Sequence, residues 1–247
     1  MSLVQQAKQK MAKNERETTD ILSVAVESGA FSDDDLVNQL MTFLLAGHET
    51  TASALSWAIC MLCKYPKVQS RLRDDIRSAI PDPRSSTATV SSNDIDNLPY
   101  LNAVCNEVLR LFPGVPITVR AAAKDTSLLG HFIPKGTSFF ISPWATNANK
   151  ELWGDDAAEF NPDRWMGSGK ANTGGADSNY SFLTFLQGPR SCIGQSFAKG
   201  EFACLLAAWV GTFETHFAKG DYEIMVRSGM TPRPKDLEVT VKILEEW

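Results

Sequence analysis

Apolar positions recur along most of this chain at helical spacing, in segments punctuated by proline and glycine. Residues near 4–29 carry an amphipathic helical pattern. A stronger helix opens at Ser32, where Asp35 stands three residues on, the spacing of a capping box. Asp33, Asp34 and Asp35 also complement the helix dipole. The pattern continues to about Tyr65, which predicts a helix of roughly 30 residues and about 45 Å, long enough to span a domain. Pro66 suits the first turn of the next helix, which ends before Pro81. Residues 81–92, PDPRSSTATVSS, read as a loop. Between 98 and 112 the apolar residues Leu101, Val104, Cys105, Val108 and Leu111 predict another helix, which Pro113-Gly114 stops.

Short strands are expected next. Residues 132–133 and 138–141 flank Pro134-Lys135-Gly136, a turn signal. Residues 167–177, GSGKANTGGAD, read as a flexible surface loop. After Cys192, the residues Phe197, Ala198, Phe202, Leu205, Leu206 and Trp209 predict a helix that buries a wide face. Leu237, Val239, Val241 and Ile243 alternate like a half-buried strand. No internal repeat is seen.

Composition narrows the classes. The 247 residues allow one large domain or two small ones. With 43% hydrophobic and 21% charged residues the chain reads as a soluble globular protein. A net charge of -5, without a basic stripe interleaved with aromatics, argues against nucleic acid as a partner. Five cysteines, Cys60, Cys63, Cys105, Cys192 and Cys204, form no disulfide framework and point to a reducing compartment. The N-terminal residues lack the apolar core of a signal peptide. Residues 40–62 are the most apolar stretch, but His48 and Glu49 interrupt it short of the roughly 18 apolar residues of a membrane span.

The chemistry concentrates at Cys192. Residues 185–194 read F-x-x-G-x-R-x-C-x-G, from Phe185 through Gly188, Arg190 and Cys192 to Gly194. A cysteine ahead of a helix, with Arg190 two residues before it, is placed to hold a thiolate against the helix dipole. Such a thiolate suits a soft metal centre, and haem iron is one. The alternative is a buried structural cysteine. In the long helix, Ala46-Gly47-His48-Glu49-Thr50-Thr51 places a glycine where it costs roughly 1 kcal/mol relative to alanine. Close approach of a flat ligand would offset that, and Glu49 with Thr50 could relay protons; a helix that simply bends there is the alternative. Glu107 and Arg110 form E-x-x-R, which alone reads as an exposed pair. Arg164 in FNPDRW and Arg120 in PITVR are single cations, the latter able to clamp a carboxylate. Cys60 and Cys63 form C-x-x-C inside a helix, with neither the preceding strand of a redox site nor two further zinc ligands. His48, His131 and His216 have no partners at metal spacing.

In order, AGHETT at 46–51, NEVLR at 106–110, PITVR at 116–120, FNPDRW at 160–165 and FLTFLQGPRSCIGQSFAKGE at 182–201 resemble the C-terminal half of a cytochrome P450, a haem-thiolate monooxygenase. The resemblance runs from about residue 16 to the end. It implies a mainly α fold with small β-sheets, residues 1–247 being the C-terminal portion, and the family's N-terminal half and membrane anchor absent. Full-length members of this type are commonly bound to the endoplasmic reticulum membrane, so the missing anchor leaves location open. The implied cofactor is Cys-ligated haem, with Cys192 as iron ligand, Phe185 packed by its sulfur, and Gly188 and Gly194 admitting the porphyrin. Arg120 and Arg190 would pair with the propionates. Glu107, Arg110 and Arg164 would form a buried structural triad. Ala46 and Gly47 would face the haem, and Glu49 and Thr50 would deliver protons to bound dioxygen. Substrate contacts would fall near residues 117–118 and 228–230.

The implied activity is insertion of one oxygen atom from O2 into a small apolar substrate, with electrons from a reductase docked near Cys192, where Lys199 is a candidate contact. Asp163 departs from the glutamate the family often has. Two other readings stand beside this one: a truncated, non-catalytic fragment that binds haem or serves as an interaction surface, and a relative that rearranges peroxides without a reductase. The Glu49-Thr50 pair leans against the second.

Overall fold

The computed structural model describes residues 3–12, 21–82, 89–245 and 247. They divide into two compact units, residues 1–49 and 50–247. In the first, α1 (Leu3–Ala12) packs on α2 (Ile21–Ser28). The helix expected over 4–29 falls partly on residues 13–20, which lie outside the described residues. Then α3 (Asp33–Lys64) begins and runs into the second unit without a break. The Ser32 hydroxyl accepts from the Asp35 amide at 3.2 Å, and the Asp35 carboxylate accepts from the Ser32 amide at 3.3 Å. These are the reciprocal bonds of a capping box, as the spacing predicts. Helix α3 continues through Gly47, and the space a side chain would fill there is open.

In the second unit α4 (Pro66–Ala79) has its proline in the first turn, and the expected loop over 81–92 falls largely on residues 83–88, outside the described residues. A short α5 (Ser92–Asp96) leads into α6 (Pro99–Leu111). Every residue of α6 after Leu101 except Asn102 is buried, so this helix is the axis of the core. Around it pack α4 and α9 (Gln195–Thr212), which contributes the buried Phe202, Leu206 and Val210.

Four antiparallel ribbons of two strands each lie among the described residues. They pair β1 (Thr118–Ala121) with β4 (Ser138–Ile141), β2 (Thr126–Leu128) with β3 (His131–Ile133), β5 (Phe213–Phe217) with β8 (Val239–Ile243), and β6 (Val226–Arg227) with β7 (Arg233–Pro234). The strands on either side of Pro134-Lys135-Gly136 therefore do not pair with each other. The turn itself forms: Thr137 donates to the Pro134 carbonyl at 3.2 Å, and Gly136 takes φ 87°, a conformation that favours glycine. Two short helices follow, α7 (Pro143–Asn147) and α8 (Lys150–Trp153).

Three expectations are corrected. The loop over 167–177 is not simply a surface loop, because Gly174 is buried between rings: a Cβ there would lie 2.8 Å from Trp153 and 3.2 Å from Trp165. On α9, Phe197 and Leu205 are 73% and 44% exposed, so the buried face is narrower than the apolar count implies. The C-terminal strand forms, but Val241 and Ile243 are exposed, so its alternation does not mark a half-buried face.

The cysteines sort by burial. Cys60, Cys63 and Cys105 are buried, whereas Cys192 and Cys204 are exposed. Burial pushes the Cys60 thiol up to about 12, with help from Cys63, and the Cys63 thiol up to about 11. Neither is a thiolate near neutral pH, so neither is an activated nucleophile. Native alkylation at pH 8 should therefore label Cys204 and leave Cys60, Cys63 and Cys105 unmodified until denaturant is added, as read by mass spectrometry of the peptides.

Candidate functional site

The site is built from the core outward. On α6, Glu107 and Arg110 are one turn apart, and both side chains are fully buried. The guanidinium meets the carboxylate through two bonds of 2.8 Å. Its other donors reach the carbonyls of Asn147 at 2.8 Å, Ala157 at 2.6 Å and Glu159 at 3.0 Å. Five bonds use all five donors that a guanidinium has. Glu107 also accepts from the Asn161 amide and the Trp165 indole, both at 2.9 Å. This is the opposite of the exposed pair that E-x-x-R alone suggests.

Arg164 completes the group. It lies on a 3₁₀ turn, Pro162–Trp165, that packs on α6, with Nε 3.6 Å from Glu107. Its outer nitrogens hold Asp156 at 2.7 Å and the Trp153 carbonyl at 3.0 Å. Burial works to raise the Asp156 carboxyl, but the hydrogen bonds from Arg164 and Asn161 win and hold it below the ordinary carboxylate range. That contact stabilises above the free carboxylate pKa of about 4 and is lost as pH falls below it. The neighbouring Asp163 turns the other way and takes Arg71 at 2.8 and 3.0 Å. A shorter carboxylate at that position thus still has a partner.

From Arg110 the network reaches the cysteine loop through Asn147, a residue that sequence reasoning missed. Its buried amide donates to the Arg110 carbonyl at 3.0 Å and to Thr184 at 2.8 Å, and accepts from the Leu183 amide at 2.8 Å. Thr184 donates in turn to the Leu109 carbonyl at 2.7 Å. No periodic signal marks Asn147, which stands 37 positions from both Arg110 and Thr184.

Beyond Thr184 the loop closes on itself. The Cys192 amide donates to the Phe185 carbonyl at 2.8 Å. Leu186 and Gly188 take φ of 59° and 79°, so the chain reverses sharply, and only glycine fits freely at 188. Gly194 caps α9 with no side-chain bond, and a Cβ on it would lie 4.0 Å from the Cys192 sulfur. The thiol is therefore exposed, beside the uncapped N-terminus of an 18-residue helix. Ile193 and Phe197 flank it, 90% and 73% exposed. Arg190 and Arg120 are exposed, and neither pairs with a carboxylate among the described residues. Lys199 is not a free surface cation. Its amine lies 5.7 and 5.9 Å from the rings of Phe182 and Phe185, and burial lowers its pKa.

The long helix carries the remaining candidates. Ala46, Gly47 and Glu49 belong to the first unit, with Ala46 exposed and Gly47 and Glu49 half-buried. Thr50 opens the second unit and packs against Gly114.

The sequence profile for Cytochrome P450 matches residues 1–241. The chain belongs to the cytochrome P450 family. It is 58% identical over 95% of its length to "Cytochrome P450 monooxygenase sphH" of Aspergillus fumigatus, covering 44% of that protein. It is also 45% identical over 92% of its length to "Cytochrome P450 monooxygenase ALT8" of Alternaria alternata, covering 44%. With "Cytochrome P450 monooxygenase FUM15" of Gibberella moniliformis it shares 43% identity over 86% of its length, covering 43%. The P450 chain thus spans less than half the length of these curated relatives. Membership implies a Cys-ligated haem, and the residues present fit one. Among the described residues there is no cluster of three or more metal-binding side chains, but an iron already held by a macrocycle needs one thiolate. The Cys192 thiol is exposed, with glycine backbone and exposed apolar side chains beside it.

The two acidic contacts of this region should differ sharply in worth. Arg110→Met leaves Glu107 charged and buried, and should cost about 3–5 kcal/mol. Asp163→Ala removes an exposed partner of Arg71 and should cost within about 1 kcal/mol. Urea unfolding of the two variants beside the parent chain measures both.

Proposed function

We propose that this chain forms the haem-thiolate side of a monooxygenase that inserts one oxygen atom from O2 into a small apolar substrate, with electrons from a reductase. The observation that carries the reading is the exposed Cys192 thiol at the head of α9, in a loop tied to the core through Asn147. Cys192 would hold the haem through its sulfur, and a thiolate-ligated haem would supply dioxygen activation.

The chain's own residues do the rest. Arg120 and Arg190, neither ion-paired with a carboxylate among the described residues, offer their guanidinium groups to the propionates. Gly188 and Gly194 keep side chains away from the porphyrin, while Phe185 packs behind the sulfur. Ala46 and Gly47 leave the surface of α3 bare for a flat ligand. Glu49 and Thr50 are successive on that helix, a carboxylate and a hydroxyl able to hand on protons at Oε and Oγ1. Glu107, Arg110 and Arg164 take no part in proton transfer and hold the loop in place. Ile117, 54% exposed, and Met230, 80% exposed at the tip between β6 and β7, are apolar contacts for the substrate, which is why an apolar one is proposed.

A second reading has one observation in its favour. The exposed Ile193 and Phe197 beside the thiol would suit a haem-binding or interaction fragment without turnover. Stoichiometric haem uptake with a cooperative thermal melt argues against that reading.

Reduction under carbon monoxide tests the main proposal. The Soret band should move to the thiolate-type position, and Cys192→Ala should abolish the shift. An unshifted band, or the same shift in the variant, removes Cys192 from the iron.

A further inference from the structure

One close approach is left unexplained by these roles. Gly114, just past the end of α6, lies against Thr50: a Cβ built on it would be 3.2 Å from the Thr50 Cβ, 3.4 Å from its Cγ2 and 3.5 Å from its Cα. Those atoms belong to the helix or sit next to its backbone, so no flexible side-chain end can swing away. Gly114 does not take a left-handed conformation, so alanine would be tolerated by its own backbone and would act only through this contact.

Both partners are also held from behind. Two residues before Gly114, the Phe112 ring stacks on Trp57 of α3 at 3.9 Å and an interplanar angle of 6°. Trp57 and Ser53, both buried, donate to the same Pro232 carbonyl at 2.9 and 2.6 Å. The helix and the 112–114 turn are therefore clamped together one to two helical turns past Thr50. Neither can give by a few tenths of an ångström without disturbing the Trp57 stack or the Pro232 bonds.

We propose that Gly114 is a positioning residue for Thr50. Its missing side chain leaves the Thr50 Cβ and methyl their room beside the Pro113-Gly114 turn, so that Thr50 keeps the rotamer that aims its hydroxyl. The inference rests on Thr50 as a proton donor, and adds the contact that aims it. A hydroxyl turned even slightly off line delivers its proton less well. Dioxygen that has taken two electrons then leaves with two protons as hydrogen peroxide, instead of passing one oxygen atom to substrate and the other to water.

The experiment is Gly114→Ala in the haem-loaded protein with its electron donor, read three ways. The ¹³C-methyl signal of Thr50 should shift, peroxide released per two electrons should rise several-fold, and the substrate dissociation constant should stay unchanged. In a Thr50→Val background, Gly114→Ala should add no further peroxide. An unmoved methyl signal, or the same added peroxide in that background, overturns the proposal. If Thr50→Val itself releases no more peroxide than the parent, the proton-donor reading fails instead, and the methyl signal alone decides whether Gly114 positions Thr50. If Gly114→Ala does not fold, Thr50→Ser frees the same rotamer by deleting the methyl that fills the space beside Gly114, while keeping the hydroxyl. More peroxide from that variant supports the proposal, and unchanged peroxide overturns it.

Discussion

The bidentate contact between Glu107 and Arg110, fully buried inside α6, is the constraint on which the second unit turns. Two charges withdrawn from water cost several kcal/mol each unless every polar atom is satisfied. Here the guanidinium spends its donors on one carboxylate and three carbonyls, and the carboxylate also accepts from an amide and an indole. The three carbonyls and the two extra donors come from residues 147, 157, 159, 161 and 165, a stretch with little regular structure of its own. Satisfying one ion pair therefore dictates the path of nearly twenty residues. That path carries Asn147, whose side chain sets residues 183 and 184, and these begin the run to Cys192.

What was legible in the sequence was whatever is decided locally. The Ser32–Asp35 box, Pro66 in the first turn of α4, the stop at Pro113-Gly114 and the turn at Gly136 each depend on neighbours within four residues, and each is where the pattern places it. The pairing of strands across that turn was not legible, because one ribbon is nested within the other and each strand finds an earlier partner. Burial was read least well where apolar residues surround a helix on all sides. The spacing of Phe197, Leu205 and Trp209 in α9 does not say which of them faces α6. Glu107 and Arg110 show the reverse error, since charge reads as surface until a whole network of carbonyls is known to wait for it.

In the candidate site, Cys192 was plain from its own motif, whereas the residues that hold it were silent. Asn147 and Trp165 act through contacts 37 and 58 residues away, at 3.0 and 2.9 Å, and Gly114 through the room it leaves Thr50, 64 residues away. Their identities are also ordinary, an amide, an indole and a glycine, so no residue type advertised them. Gly174 is the same case, a glycine in a loop-like sequence that is required because two tryptophans leave no room for a Cβ.

A division of labour follows from burial. The holding residues, Glu107, Arg110, Asn147, Ser53 and Trp57, are buried, while those proposed to meet ligands, Cys192, Arg190, Arg120, Ile117 and Met230, are exposed. This matters because breaking the ion pair, at about 3–5 kcal/mol, would consume a large part of the 5–15 kcal/mol that a domain of ordinary stability has. Asn147, Leu183 and Thr184 are tied directly into that network and cannot leave it without breaking its bonds. Past Thr184 the described ties thin out to single bonds, such as Cys192 to Phe185 and the Gln187 side chain to the Asn179 carbonyl, each worth about 1 kcal/mol. The loop from Phe185 to the start of α9 is therefore held mainly by local bonds between two better-tied ends. The sulfur sits at the far end of that segment, 4.0 Å from where a Cβ on Gly194 would lie, at an α9 N-terminus that no side chain caps.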